Sequence, residues 1–454
     1  MTHRATRGLQ IPLAGQPAAQ LEDGPPVRHV ALLAADYVGL RPTFQVQVGD
    51  HVRRGDVLFE DKMTAGVRYT APAEGTVTAI HRGARRAFQS VVIELSDAER
   101  QGHGAQAPFE SFSGRAPSSL TGDEVRALLL ESGLWTALRG RPFSRVADPA
   151  KAPRSIFVTA MDSEPLAPPI DLALPGRTAD LERGLAVLTR LTTGPVFFCT
   201  DDTLQLPLTL PDRVRHERFA GPHPAGTVGF HIHRLDPAGR DRLVWHVDCR
   251  DVAAMGRLFA SGELDTSRIV GLGGPAAAGP RLIRTRLGAS VDELIAGEHQ
   301  GEIRVLSGSA LSGRAAAGPV EGFLGRYHRQ ICLLPEGRDR EFMGWAAPGG
   351  AKYSSIGIFL GRYLGRKPLR LTTSTNGSRR AIVPIGMYER VMPFDMEPTY
   401  LLKALLTKDL ERAEQLGCLE LDEEALALCT FVCPGKHENG PYLRDVLTAN
   451  EKED

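Results

Sequence analysis

The stretch that decides the fold of this chain covers residues 48–80 and reads VGDHVRRGDVLFEDKMTAGVRYTAPAEGTVTAI. Short runs of β-branched and aromatic residues alternate in it with polar ones, and glycines and a proline separate the runs. Gly49 and Gly55 stand where tight turns require a positive φ. The pattern predicts two short strand pairs that close into a small flattened β-barrel.

This stretch resembles the biotinyl and lipoyl carrier domains, in which a Gly-Asp turn precedes a hairpin that carries a modified lysine. Lys62 would be that lysine. It lies about three residues too close to Gly49 for the carrier hairpin, and no Met-Lys-Met sequence surrounds it. The residues therefore favour a lipoyl/biotinyl-like barrel without an attached cofactor, and a carrier protein is kept as an alternative.

The composition is that of an ordinary globular protein. The 454 residues suffice for three or four domains, and 42% of them are apolar. Lys plus Arg and Asp plus Glu both number 54, so no overall field favours nucleic acid. No run approaches the ~18 apolar residues of a membrane span, and the N-terminus lacks the apolar core of a signal peptide. We therefore expect a cytoplasmic chain.

Hydrophobic periodicity and linkers divide the chain into five predicted domains. A strand at 155–160, a helix at 178–191 and a strand at 195–199 follow one another at the spacing of a parallel layer. The predicted order is a barrel over 1–100, a Rossmann-like α/β domain over 115–257, a β-grasp module over 258–330, strands that complete the barrel region over 331–394, and a helical domain over 395–454. The fold class is therefore α/β multidomain.

A nucleotide site is disfavoured. The loop at 132–144 lies where a nucleotide-binding fold would place its phosphate cradle, but it contains Trp135 and Pro142 instead of closely spaced glycines. The stretch at 162–165 resembles the flavin-binding subunit of NADH:quinone oxidoreductases, without the glycine run that seats the flavin phosphate there. An independent flavin- or NADH-dependent oxidoreductase is kept as an alternative.

Histidine and cysteine residues offer two candidate metal sites. His231 and His233 would project from one face of a strand, but no further ligand stands at a suitable spacing, so a polar strand face is favoured. Two C-terminal segments, 382–393 and 423–434, have the frame of a bacterial ferredoxin run. Of the eight cluster-binding positions only Cys429 and Cys433 are cysteines, so we expect a ferredoxin frame without clusters.

Motifs spread over the chain resemble the NqrA family, which is the A subunit of the bacterial sodium-translocating NADH:quinone oxidoreductase. They are Leu13-Ala14-Gly15, His29-Val30-Ala31-Leu32-Leu33, Tyr37-Val38-Gly39, residues 85–95, Leu371-Thr372-Thr373-Ser374-Thr375-Asn376-Gly377 and Cys433-Pro434-Gly435-Lys436. The resemblance implies a cofactor-free, peripheral member of a six-subunit complex, held on the membrane-embedded B subunit at the cytoplasmic face of the bacterial inner membrane. Other subunits would carry NADH, flavins and iron–sulfur centres, and the complex would reduce ubiquinone to ubiquinol while exporting Na⁺.

The same resemblance implies an association with quinone, for which two loops supply candidate residues: Tyr37, Val38, Gly39, Arg41, Arg141 and Phe143. A quinone headgroup needs an apolar slot and one or two donors. Tyr37 and Phe143 would flank the ring, Gly39 would let it approach the backbone, and Arg41 or Arg141 would donate to a carbonyl. The alternative is that both loops pack against a neighbouring protein of the complex. No catalytic or metal-binding residue is predicted.

Overall fold

The N-terminal barrel forms as the glycine-punctuated stretch predicts. The computed structural model describes residues 2–339, 342–344, 346–350, 352–362 and 367–453. Gly49 and Gly55 adopt φ values of 99° and 89°, as expected for the turns. Two antiparallel sheets enclose a core that includes Val67 and Val77. The strands are His29–Leu33, Phe88–Leu95, Gly75–Arg82 and His51–Val52 in one sheet, and Pro42–Phe44, Val57–Asp61 and Arg68–Thr70 in the other.

A seven-stranded sheet forms the α/β layer. Its order is Thr2–Arg4, Val214–Ala220, Val196–Asp201, Ser155–Ala160, Val244–Asp248, Arg139–Arg141 and Arg145–Val146. The first five strands are parallel, and the last two form an antiparallel hairpin at the edge. After Ser155–Ala160 the chain adds Val196–Asp201 and then Val214–Ala220 toward one edge of the sheet. It then crosses back and adds Val244–Asp248 on the opposite side of Ser155–Ala160, toward the other edge. The strand order therefore reverses between these two strands.

Helices Thr178–Leu188 and Cys249–Ser261 pack together over one face of this sheet. They approach closely because each contributes a glycine at the contact. A Cβ on Gly184 would lie 1.9 Å from the carbonyl oxygen of Val252, and one on Gly256 would lie 1.8 Å from that of Asp180. Helix Gly122–Glu131 begins with a capping box formed by Thr121 and Glu124.

A six-stranded sheet follows the α/β layer. Its order is Arg314–Ala315, Ile303–Ser307, Gln330–Pro335, Ser267–Gly273, Arg281–Arg286 and Ala18–Asp23. The strand Gln330–Pro335, expected to complete the barrel region, pairs instead with Ile303–Ser307 and Ser267–Gly273. In the described part of 336–394 the expected strands do not form, and Leu369 makes a single bridge with Leu13.

The C-terminal helices cover the second face of the α/β sheet. They are Pro398–Thr407, Leu410–Gln415, Ala427–Val432 and Asn439–Glu453. Their apolar side chains form one core with Phe157 and Phe197 of the sheet and with Phe230. The shorter helices elsewhere are Asp97–Arg100, Ile170–Ala173, Val228–Leu235, Val291–Leu294 and Gly318–Glu321. Within the described ranges, no helix combines the length and hydropathy needed to cross a bilayer.

The predicted strand that carries His231 and His233 is wrong, because these residues lie in helix Val228–Leu235. The hydroxyl of Thr227 caps this helix by accepting a hydrogen bond from the N–H of Phe230. The sequence prediction followed the alternation of apolar and histidine residues and did not use this capping signal. Residues two apart on a helix point in nearly opposite directions. His231 Nε2 lies 3.0 Å from the carbonyl oxygen of Ala225, whereas His233 Nδ1 lies 2.8 Å from Glu420 Oε2. The two imidazoles therefore cannot share a metal.

Candidate functional site

A cleft of about 680 Å³ opens at the carboxyl ends of the parallel strands. Thr159 and Asp162 reach it from the end of Ser155–Ala160, and Asp248 reaches it from the end of Val244–Asp248. The strand order reverses between these two strands, which is where open α/β sheets leave a crevice for ligands. The topology thus places this cleft at the position expected for a ligand site.

Four parts of the chain build the walls of the cleft. Besides the α/β layer, they are the barrel loop at 35–38, the loop at 308–314 of the six-stranded sheet, and the C-terminal residues 422–444. A cleft assembled from segments this far apart in sequence depends on how the sheets pack against one another. Its floor is held by Arg329, whose Nε donates to Asp248 at 2.6 Å and whose Nη1 donates to Asp162 at 3.1 Å.

The carboxyl groups of the cleft differ in their affinity for protons. Burial alone would raise the pKa of Asp248, but the charges of Arg250 and Arg329 outweigh it and hold that pKa well below its usual range. Burial, followed by the charge of Asp162, raises the pKa of Glu164 to about 7. Burial, followed by nearby carboxylates, raises the pKa of Glu424 to about 8. At neutral pH Glu164 and Glu424 can therefore donate hydrogen bonds as neutral acids.

A second group of polar side chains lines the edge hairpin. Arg139 stacks its guanidinium over the ring of Tyr327 at 4.1 Å and forms no ion pair with any described residue. It sits in register with His246 on the neighbouring strand. His246 Nε2, Ser144 Oγ and Gln330 Oε1 are buried without a hydrogen-bond partner among the described residues. Buried polar atoms are seldom left unpaired, so these atoms indicate a place for a polar ligand or water.

The protonation state of His246 fits a neutral donor or acceptor. Burial, reinforced by the charges of Arg139 and Arg141, lowers the pKa of His246 well below its ordinary value. The ring is therefore uncharged at neutral pH. Arg139, which faces the cleft without a carboxylate partner among the described residues, is the cationic donor of this wall.

The two loops predicted to meet quinone lie against each other. Arg145 Nη1 donates to the carbonyl oxygen of Val38 at 3.3 Å, and Val38 lines the cleft. A Cβ on Gly39 would lie 1.8 Å from Arg145 Nη1, so a glycine is required at this contact. Arg145 directly follows the second loop, so the two segments are neighbours in space although about 100 residues separate them in sequence.

The side chains predicted to hold the ring lie elsewhere. Tyr37 is 5% exposed and packs edge-on against Tyr69, with ring centroids 4.8 Å apart. It lines a separate cavity of about 50 Å³. Arg41 is exposed on the barrel, and its backbone N–H donates to Asp61 at 3.0 Å. Neither side chain borders the cleft.

Arg141 and Phe143 are committed to the interface with the C-terminal helices. The Arg141 guanidinium is fully buried, pairs with Asp422 and donates to the carbonyl oxygen of Glu420 at 3.0 Å. Phe143 packs against the core of those helices, and its carbonyl oxygen accepts from Arg444 at 2.7 Å. The Arg141 guanidinium therefore does not face the cleft, whereas Arg139, which the sequence reasoning missed although it lies in the same stretch at 132–144, lines it.

The two ferredoxin-like segments face one another. Tyr388, at a ligand position of the first segment, lies 3.0 Å from Cys433 Sγ of the second. Met392 and Cys429 are buried in the same core. Burial raises the pKa of Cys429 to about 12, so its sulfur stays a thiol. Tyr388 and Met392, at two of the former ligand positions, thus pack in the same core as the two surviving cysteines.

Three family models match this chain along most of its length. They are the NqrA N-terminal barrel-sandwich hybrid domain over residues 4–96, the NqrA second alpha/beta domain over 98–264, and the NQRA C-terminal domain over 269–318. The match to the N-terminal domain agrees with the barrel described above.

Solved structures give only a weak likeness. The NAD⁺-reducing NiFe-hydrogenase in the air-oxidized state is 14% identical, with a TM-score of 0.36 over 81% of this chain and 77% of that one. A TM-score this low carries no argument about the site.

Curated relatives match the chain from end to end. The A subunit of the Na(+)-translocating NADH-quinone reductase of Yersinia pseudotuberculosis is 50% identical, and that of Serratia proteamaculans is 51% identical, each over 98% of this chain and 99% of the relative. The corresponding protein of Klebsiella pneumoniae is 50% identical over 99% of both chains. With half of its residues identical to these proteins over nearly its whole length, the chain belongs to the NqrA family, the A subunit of the Na(+)-translocating NADH-quinone reductase.

Proposed function

We propose that this chain binds the quinone headgroup for its complex and helps the complex to assemble, as a peripheral protein on the membrane-embedded B subunit at the cytoplasmic face of the inner membrane. In this role it carries no redox cofactor, and the complex reduces ubiquinone with electrons from NADH while exporting Na⁺. The observation that carries the proposal is the contact between the two candidate loops, in which Arg145 joins Val38 at the edge of the cleft.

The cleft supplies what a quinone headgroup needs. The ring carries two carbonyl acceptors, so it requires a flat surface and one or two donors. Arg139 offers N–H donors beside the Tyr327 ring, and the Ser144 hydroxyl lies on the same wall. Tyr37 packs against Tyr69, and Phe143 packs against the core of the C-terminal helices, so both help to hold the two loops in place. Arg141 pairs with Asp422 and holds the edge hairpin against the C-terminal segment.

The folds of the individual domains are part of the same proposal. We propose a Rossmann-like layer, a β-grasp module in the six-stranded sheet, and a C-terminal ferredoxin frame, each without the site that such units carry elsewhere. The reversal of strand order supports the first, and the facing segments around Tyr388 and Cys433 support the last. The missing glycine run and the packing of Tyr388 against Cys433 support a chain without flavin or cluster.

Substitution of Arg139 tests the quinone role in the assembled complex. Arg139→Gln removes the charged donor, and a hydrogen bond to a charged group contributes about 1.5–3 kcal/mol, so the quinone KM should rise about 10-fold or more. Arg41→Gln, on the exposed barrel surface, should leave the KM unchanged. NADH oxidation with an artificial acceptor should be unaffected in both. An unchanged quinone KM in fully assembled Arg139→Gln complex would contradict the proposal.

A further inference from the structure

Glu424 differs from the neighbouring carboxyl groups of the cleft because it has no partner. It lines the cleft but forms no hydrogen bond or ion pair with any residue that the structure describes. The two residues before it are both paired. Asp422 pairs with Arg141, and Glu423 accepts two hydrogen bonds from Arg444, each of 2.7 Å. The Glu424 carboxyl group is therefore left free for what binds in the cleft.

The surroundings of Glu424 favour its protonated form. Asp162, which also lines the cleft, pairs with Arg329 at 3.1 Å and so keeps its negative charge. The charges of Asp162, Glu164 and Asp422 all disfavour an ionised carboxyl group at this position. A carboxyl group that faces other carboxylates without a cation of its own keeps its proton. Glu424 therefore carries a proton that no other described side chain shares.

The backbone of a short 3₁₀ turn, Glu423–Leu426, positions this carboxyl group. Asp422 caps the turn, because its Oδ1 accepts a hydrogen bond from the N–H of Ala425 at 3.3 Å. Ala425 and Leu426 are buried in the core of the C-terminal helices and anchor the turn from that side. The two glutamates of the turn line the cleft. One side of the turn is thus fixed in the core, and the other presents Glu424 to the cleft.

Further polar atoms of the same cleft lack partners. His246 Nε2, Ser144 Oγ and Gln330 Oε1 are unpaired among the described residues, and their side chains are at most 5% exposed. Arg139 acts on the Glu424 carboxyl group through its charge, in the direction opposite to that of the carboxylates. The cationic donor and the unpaired acid therefore border the same space, in which polar atoms await a ligand.

We infer that Glu424 is the catalytic acid of quinone reduction, whose carboxyl group donates a hydrogen bond to one carbonyl oxygen of the ring and transfers its proton there. The inference rests on the proposed quinone site, in which Arg139 donates to the other carbonyl oxygen. Reduction adds two electrons and two protons to the ring, and the electrons come from NADH through the other subunits. The O–H bond of Glu424 breaks as one forms on the ring. The second proton, and the proton that restores Glu424, come from solvent water.

The proton affinity of Glu424 sets the pH range of this step. Burial, followed by the nearby carboxylates, raises its pKa to about 8, so the acid holds its proton at neutral pH. An acid must be protonated to act, so the step should operate fully below this pKa and fail as the pH rises through about 8. The charged groups that border the cleft around it are Asp422, Glu423, Asp162, Glu164, Arg139 and Arg444.

A metal ion suits this part of the cleft less well. Within the ranges that the structure describes, no three His, Cys, Asp or Glu side chains are arranged to hold one. The guanidinium groups of Arg139, Arg329 and Arg444 already place positive charge along the cleft and would repel a cation. A neutral ring with two carbonyl acceptors meets no such repulsion, and it accepts hydrogen bonds from an arginine and from a protonated acid alike.

Glu424→Gln tests the proton transfer in the full complex. The amide keeps an N–H donor for the carbonyl oxygen but cannot release a proton, so the quinone-dependent kcat should fall about 100-fold while the quinone KM stays unchanged. NADH oxidation with an artificial acceptor should be unaffected. Glu424→Asp keeps an acid and should restore part of the kcat. Glu411→Gln makes the same chemical change at an exposed position and should leave both activities unaltered.

The pH profile distinguishes a catalytic acid from a structural one. In the unaltered complex the quinone-dependent kcat, divided by the rate with the artificial acceptor at the same pH, should fall as the pH rises through about 8. In Glu424→Gln this ratio should be low and should not change between about pH 6 and pH 9, because the titrating group is gone. Glu411→Gln should keep the profile of the unaltered complex.

Three outcomes would overturn the role of Glu424. The first is an unaltered kcat and pH profile in Glu424→Gln. The second is an equal loss of quinone-dependent and artificial-acceptor activity, because the residue would then serve the structure. The third is a change confined to the Na⁺ concentration that gives half-maximal activity, because the carboxyl group would then serve the cation.

Direct binding separates the acid role from the quinone site on which it rests. A short-chain ubiquinone titrated into the isolated chain should bind the Glu424→Gln variant and the unaltered chain with equal affinity. Equal binding together with an unchanged kcat would overturn the acid role alone. Absence of binding by the unaltered chain would overturn the quinone site and the acid role with it.

Discussion

Arg329 Nε lies 2.6 Å from Asp248 Oδ2 and so joins the six-stranded sheet to the carboxyl edge of the parallel layer. Asp248 also accepts two hydrogen bonds from the Arg250 side chain, at 3.0 and 3.1 Å. All three side chains are at most 15% exposed. Asp248 therefore pairs with two buried guanidinium groups at the floor of the cleft, and Arg329 pairs with Asp162 as well.

Removal of this carboxylate should destabilise the chain. In Asp248→Asn, Arg250 keeps its charge without a carboxylate partner among the described residues, and Arg329 retains only Asp162. Loss of one partner from a buried ion pair costs about 3–5 kcal/mol. We expect a loss of that order in the free energy of unfolding, measured with urea on the isolated chain. Asp97, whose side chain is 80% exposed, pairs with Arg100, and Asp97→Asn should change the free energy of unfolding by less than about 1 kcal/mol. Equal effects of the two changes would contradict the role of Asp248.

The raised pKa values of Glu164 and Glu424 predict a pH dependence of stability. The folded chain holds these protons more tightly than the unfolded chain, in which the carboxyls titrate near 4.5. Their contribution to stability is therefore complete below pH 4.5 and is lost as the pH rises to about 8.

Substitution of one of these acids should remove part of this dependence. Glu424→Gln should be more stable than the unaltered chain at pH 8, by up to about 3 kcal/mol, and differ little at pH 5. The exposed Glu411→Gln makes the same charge change and should show a difference that does not vary with pH. Urea unfolding at both pH values measures the effect, and a Glu424→Gln difference that is the same at pH 5 and pH 8 would contradict it.

The contact between Gly39 and Arg145 should be intolerant of a side chain. Gly39 has a φ of 71°, and a Cβ there would overlap the guanidinium, so Gly39→Ala must displace Arg145 from Val38 and Glu451. Gly66 also has a positive φ, but nothing lies within 4 Å of its Cβ position. Gly66→Ala should cost about 1 kcal/mol for the backbone alone, and Gly39→Ala should cost more and raise the quinone KM. Equal stability and equal KM for the two variants would mean that the loops are not coupled.

The contact between helices Thr178–Leu188 and Cys249–Ser261 allows a second comparison of two glycine substitutions. Gly184→Ala would place a methyl group 1.9 Å from a carbonyl oxygen and force the helices apart, at an expected cost of about 3 kcal/mol or more. Gly229, in helix Val228–Leu235, has its nearest neighbour 3.6 Å from the Cβ position. Gly229→Ala should therefore be neutral or stabilise by up to about 1 kcal/mol. Thermal unfolding of the isolated chain distinguishes the two.

Local signals in the sequence predicted local structure well. The turns at Gly49 and Gly55 depend on residues within a few positions, and both form as expected. Helix Val228–Leu235 was predicted as a strand, because the alternation of apolar and polar residues over its eight positions fits a strand period as well as a helix period.

Pairings between distant segments could not be predicted from local signals in the sequence. Gln330–Pro335 has the composition of a strand, but nothing within it specifies which sheet it joins. Arg139 and His246 become neighbours only through strand register, so neither residue signals the other in the sequence. The contact of Arg145 with Val38 also joins distant segments, and the burial of Arg141 depends on an ion pair with Asp422 that no local pattern indicates.

Direct binding of quinone to the chain is the measurement that tests the central claim most closely. A short-chain ubiquinone is titrated into the isolated full-length chain, the Arg139→Gln variant and the Arg41→Gln variant, and binding is followed by calorimetry. We predict saturable binding at one site, weakened about 10-fold or more by Arg139→Gln and unchanged by Arg41→Gln. Absence of binding by the unaltered chain, or equal affinity in the Arg139→Gln variant, would contradict a quinone site in this cleft.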